Sequence, residues 1–126
     1  MAKKIIISIL LVLVLGGALW QNLYLSSTTE KLIQKASAVQ LAIEKNDMKK
    51  SVAAADDFIE SWEKEKQYYE ALFDHDDIDL ISATAERMRS YCASQYAQNA
   101  LAETAALIYY VNHIKEIDAV SWENIF

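Results

Sequence analysis

The chain has 126 residues, 12 Lys and Arg against 18 Asp and Glu, and a formal net charge of −6. Lys3 and Lys4 are the only charged side chains before Glu30, so the remainder carries a formal −8, which opposes binding to nucleic acid or to anionic headgroups. Cys92 is the only cysteine and the last glycine is Gly17, which excludes an intramolecular disulfide, a Cys-based metal site and a Gly-rich phosphate loop beyond that point.

Residues 5 to 20 are apolar except for Ser8 and follow directly on Lys3 and Lys4. A bilayer's hydrocarbon core of roughly 30 Å needs about 20 apolar residues in a helix, a length reached when the run is extended to Leu25. Trp20 and Tyr24 suit the far interface, and the lysine pair favours a cytoplasmic N-terminus. Residues 1–25 are therefore expected to be a cell-membrane anchor, with the following domain extracytoplasmic. A cleaved signal peptide, with Gly16-x-Ala18 as its cleavage signal, is the alternative.

Apolar residues beyond the anchor recur at helical spacing, and no proline or glycine interrupts them. Ser27 and Glu30 are placed to form a capping box that opens a first helix, with Leu32, Ala36, Val39 and Ile43 on its inner face. Nothing between Leu25 and Ser27 forbids this helix from running straight out of the anchor. Asn46 and Asp47 mark a turn, with Asp47 as the next N-cap. Met48, Val52, Ala55, Ile59, Trp62, Tyr69 and Phe73 form the second inner stripe. Its outer face carries Asp57, Glu60, Lys64 and Glu70, with Glu60 and Lys64 at pairing distance along the helix.

Residues 74–77 form a second turn, whose acids favour the N-terminal end of the third helix. Ile78, Ile81, Ala85, Met88 and Cys92 are its inner stripe. Residues 94–99 are polar and read as the third turn, with Asn99 capping a fourth helix lined by Leu101, Ala105, Ile108, Val111, Ile114 and Ile117. Without glycine, the turns must use Asn, Asp or Ser in uncommon backbone conformations. The expected fold is all-α: an N-terminal transmembrane helix, then an up-down antiparallel bundle of about four helices over residues 26–119. Residues 120–126 read as an apolar tail packing on the bundle or on a partner.

The densest polar cluster is Asp74-His75-Asp76-Asp77-x-Asp79. A calcium-binding loop needs alternating oxygen ligands, a sharp-turn glycine and a distal glutamate. Ile78 stands at the fifth position and no glycine follows, so capping is the better reading. A di-metal bundle site needs Glu-x-x-His on two helices, and neither His75 nor His113 has a glutamate three residues before it. His75 reads instead as a buried or capping hydrogen-bonded residue. Cys92 falls on an apolar stripe and reads as core. No nucleophile, acid and base fall into a catalytic order, so no catalytic residue, cofactor or metal is assigned. Adjacent tyrosines such as Tyr68-Tyr69 and Tyr109-Tyr110 differ by about 100° around a helix, so some aromatic rings must reach the bundle edge and offer contacts.

Trp62, the stretch His75-Asp-Asp-Ile-Asp79 and the terminal Asn124-Ile-Phe126 carry a family likeness. With them, the chain resembles the small membrane-anchored proteins of Gram-positive, often spore-forming, bacteria grouped as domain of unknown function 4363. That family has a tryptophan before a His-x-Glu-Ile-Asp-like stretch and an Asn-Ile-apolar ending; here Asp77 stands where glutamate is usual. The resemblance implies no activity. It does raise Trp62, His75, Ile78, Asp79, Asn124 and Ile125 as positions that matter, to which Trp122 and Phe126 are added as apolar contact residues. The expected function is a non-enzymatic, membrane-anchored interaction or scaffolding module, its partner another membrane or envelope protein or itself. The alternative is a sensor-type bundle binding a small ligand or divalent cation near His75 and Asp79.

Overall fold

A computed structural model describes the backbone of residues 1–125 and the side chains as far as Ile117. Four helices follow one another, α1 (Ala2–Glu44), α2 (Met48–Leu72), α3 (His75–Ala93) and α4 (Ala97–Ile125), with no strand among the described residues. α1 packs on α2 and α4, and α3 packs on the same two, so the helices form a ring in which chain neighbours are spatial neighbours. The connections are Lys45–Asp47, Phe73–Asp74 and Ser94–Tyr96, too short for anything but antiparallel packing.

α1 holds 43 residues without a break, about 65 Å of helix. The capping box expected at Ser27 does not form. With no Pro or Gly to stop the helix, the adjacent threonines bond back onto it: Thr28 Oγ1 donates to the Leu25 carbonyl at 3.1 Å and Thr29 Oγ1 to the same oxygen at 2.9 Å. These bonds let Thr28 and Thr29 be buried without leaving hydroxyls unsatisfied. The inner stripe therefore begins at Leu25 and continues through Leu32, Ala36, Val39 and Ile43. Before Tyr24 the large apolar side chains of the helix, from Ile5 to Leu23, are 45–68 % exposed.

The turns show how a chain without glycine stops a helix. Asn46 has φ 57°, its N–H bonds to the Ile43 carbonyl, and the Asp47 N–H reaches back to Ala42. This is the Schellman arrangement, with asparagine in the left-handed position usually given to glycine. Asp47 then caps α2 by accepting the Lys50 N–H at 3.1 Å, as expected. The third turn repeats the arrangement with Gln95 at φ 63°, bonded to Cys92, and Tyr96 N–H bonded to Tyr91. Glutamine was not among the residues expected there. The Tyr91 and Tyr96 rings meet edge to face at 6.3 Å, supplying the apolar contact that accompanies this motif.

All five residues of the expected α3 stripe are buried, and Thr84 joins them. α2 buries Ala55, Trp62 and Tyr69 as expected, but Ser51 and Phe58 take core positions while Met48, Val52, Ile59 and Phe73 are half-buried. α4 needs a larger correction. It starts at Ala97, so Asn99 lies inside its first turn and does not cap it. Its core face is Ala100, Thr104, Leu107, Val111 and Ile114, one residue out of register with the Leu101, Ala105 and Ile108 reading. Thr104 is tolerated because its hydroxyl donates to the Ala100 carbonyl at 2.7 Å. The backbone of residues 120–125 continues α4 as helix. The side chains of residues 118–126, and all of Phe126, lie outside the described residues, and so do the tail packing and the Trp122, Asn124, Ile125 and Phe126 candidates.

Among the described residues, one ion pair crosses each of the four seams of the ring: Lys35 to Asp57 at 2.9 Å, Asp56 to Arg89, Arg87 to Glu103 at 3.2 Å, and Lys115 to Glu30 at 3.3 Å. Each is at least partly open to solvent, which screens it and keeps its contribution small. Asp56 and Asp57, adjacent in sequence, hold α2 to opposite neighbours.

Candidate functional site at the near end of the bundle

The end of the bundle from which the apolar half of α1 departs, the near end, also gathers the α2–α3 turn and the last turns of α4. Aromatic rings form a chain across it. Trp20 stacks on Tyr24 at 5.4 Å, Tyr24 meets Tyr68 edge to face at 4.9 Å, and Tyr68 contacts Tyr69 at 6.1 Å. Tyr69 in turn touches Trp62 and Phe73. Tyr69 is buried and shares a 2.7 Å hydrogen bond with Thr28. Removal from water raises its phenol pKa above the ordinary range, and the Thr28 bond opposes this only in part. Tyr24 donates a 2.6 Å hydrogen bond to Glu65. Of each adjacent tyrosine pair, at most one ring is buried: Tyr69 inside with Tyr68 half-buried, Tyr110 half-buried with Tyr109 exposed.

A groove of about 270 Å³ opens beside this chain, between α1 and α2. Tyr24, Ser27, Thr28, Lys31, Leu32 and Lys35 line one wall, and Ser61, Lys64 and Glu65 the other. Two of its three lysines are paired, Lys35 with Asp57 and Lys64 with Glu60, and Glu65 is a third carboxylate at the groove, so positive and negative charges balance there. Sequence reading missed it, because its walls lie about 35 residues apart in the chain and carry no recognisable motif.

The residues singled out from sequence separate. Trp62 and Ile78 are core, Trp62 donating its indole N–H to Ser82 Oγ at 2.8 Å. His75 and Asp79 are exposed, one turn apart on α3. His75 is thus neither buried nor the cap, because Asp74 caps α3 by accepting the Asp76 N–H, while Asp76 and Asp77 occupy its first turn. Among the described residues, no group of three or more His, Cys, Asp or Glu is arranged to hold a metal ion. Cys92 is buried, and burial raises its thiol pKa, an effect that the nearby Ser51 opposes only in part.

Fold and site together define an all-α four-helix bundle whose first helix extends into a free apolar segment long enough to cross a membrane. The chain belongs to the family described as domain of unknown function DUF4363, whose model matches residues 19–125. The match takes in the whole bundle and starts near the end of the apolar segment. No curated protein and no solved structure matches the chain.

Proposed function

We propose that the chain is a single-pass membrane protein with a cytoplasmic N-terminus. Its bundle, on the outer side, works without catalysis by holding another membrane or envelope protein or a second copy of itself. The observation that carries this reading is the contrast in exposure along α1. No large side chain from Ile5 to Leu15 packs against the bundle, so these residues need an apolar environment that the chain does not supply. The aromatic near end would lie against the bilayer surface, as amphipathic rings do at an interface. Anchoring raises the local concentration of the bundle and fixes its orientation toward partners in the same membrane.

Cross-linking in intact cells, followed by affinity capture and mass spectrometry, tests the interaction role. A recurrent membrane or envelope partner, or the chain itself, is the expected recovery, and a monomer with no partner would sink the reading. Protease added to intact cells should digest the bundle while sparing the N-terminal segment. Replacing Trp122 and Phe126 together with Ala should weaken capture while leaving helicity intact.

A further inference from the structure

If α1 crosses a bilayer, as proposed above, the bundle limits how much of it can do so, and the inference rests on that reading. α1 and α2 run antiparallel, and Tyr24 is level with Glu65 and Tyr68 through its hydrogen bond and its ring contact. Beyond Tyr68, α2 and its turn continue to Asp74, about 9 Å further toward the N-terminal end of α1. Asp74 is therefore level with Ala18. α4 reaches almost as far. Lys115 is paired with Glu30, and the helix from there to Ile125 descends about 15 Å, to the level of Trp20. Exposure agrees with this limit: Ala18, Gln21 and Asn22 are half-buried, whereas every residue before Ala18 is exposed.

Asp74, His75 and Asp76 are exposed at this level. A carboxylate is costly in hydrocarbon, so the hydrocarbon edge lies no farther along α1 than about Ala18. Ile5 to Ala18 spans about 21 Å, well short of the roughly 30 Å of a typical hydrocarbon core. Leaning does not close the gap. α3 starts diagonally across the ring from α1, roughly 13 Å away. A lean of about 20° away from that side lifts the turn by some 4–5 Å and frees about three more residues of α1, yet the longer segment still projects only about 24 Å onto the bilayer normal. Lys3 and Lys4 relieve part of the deficit, because their side chains lean toward the N-terminus and can snorkel to the near interface.

We propose that the charged near end of the bundle is a depth stop, and that the protein is fitted to a hydrocarbon core several Å thinner than the typical one. The partner it fits is a lipid surface of short acyl chains, or one thinned around α1, on which Trp20 and Tyr24 lie among the headgroups.

The test is reconstitution of the full-length protein into vesicles of dimyristoleoyl-, dioleoyl- or dierucoyl-phosphatidylcholine, three lipids of increasing chain length, with the incorporated fraction read by flotation after a carbonate wash. Incorporation should be greatest in the shortest lipid and roughly ten-fold lower in the longest, because each Å of mismatch carries a cost. Inserting four leucines after Leu15, about 6 Å of helix, should move the optimum to the dioleoyl lipid. The thermal transition of the bundle in detergent should not change, since the insertion lies outside it. Equal incorporation in the three lipids, an optimum in either longer one, or an insertion variant with the wild-type preference overturns the proposal and leaves the anchor in place. No incorporation in any of the lipids sinks the membrane reading itself, and the depth stop with it.

Discussion

The two halves of α1 are one helix in two surroundings. From Ile5 to Leu23 its large apolar side chains are exposed, whereas from Leu25 to Ile43 its inner stripe is buried almost completely. The first half is apolar on every face and has no direction in which to pack. The second is apolar on one face and packs on α2 and α4. Helix formation therefore says nothing by itself about packing partners. Those are set by how apolar residues are distributed around the helix.

The sharpest way to break this comparison is to put the same charge in both halves. Leu32→Asp buries an unpaired carboxylate in the core and should abolish the cooperative thermal transition of the bundle. Leu13→Asp should leave that transition unchanged and instead reduce membrane retention, since an aspartate at the centre of a spanning helix costs about 2.5–3.5 kcal/mol. If both variants melted alike, the two halves would not be independent.

Next in size is Trp62→Ala, which removes a buried ring and strands the Ser82 hydroxyl. A loss of about 3–5 kcal/mol in denaturant unfolding is expected, with no effect on membrane retention.

A pH series sharpens the same division, because Cys92 and Tyr69 both belong to the bundle. Burial raises both pKa values in the folded state, so folding favours their protonated forms. The stability they contribute is complete below the ordinary thiol and phenol pKa values, about 8.5 and 10. It is lost as pH rises beyond them toward the folded-state values. The melting temperature should fall progressively above about pH 8.5, and Cys92→Ala with Tyr69→Phe should flatten that fall. An equally steep fall in the double variant would assign it to other groups.

The smallest effect is expected from Lys64→Ala. Its exposed pair with Glu60 contributes at most about 0.5 kcal/mol, so any larger loss of stability would show that the groove wall supports the fold.

α3 was the most legible element, because its apolar residues occupy one stripe and charged residues the rest. α4 was the least. Ala100, Leu101, Ala102, Ala105, Ala106, Leu107 and Ile108 leave two faces nearly equivalent, and packing against α1 and α3 selected the one with the smaller residues at its start. The unbroken passage at Leu25 was legible as a possibility, since no helix breaker lies there, but a capping pattern at Ser27 competed with it. Thr28 and Thr29 decided the outcome by bonding to the helix itself. Of the candidate site, the aromatic wealth was visible in sequence, and its gathering at one end was not. That depends on antiparallel packing bringing Trp20 and Tyr24 beside Tyr68, Tyr69 and Phe73. The groove between α1 and α2 was hidden for the same reason.

The uninterrupted α1 also makes the bundle a pointer. From Leu25 to Glu44 the helix extends about 30 Å beyond its exit from the apolar segment, with no hinge residue to absorb a change of angle. Spanning helices commonly lean by about 20°, and a lean of that size would carry the far turns of the bundle sideways by roughly 10 Å. In a bilayer whose thickness changed, the far end would sweep across the surface while the near end stayed in place, turning a small adjustment among lipids into a displacement that a neighbouring protein could feel.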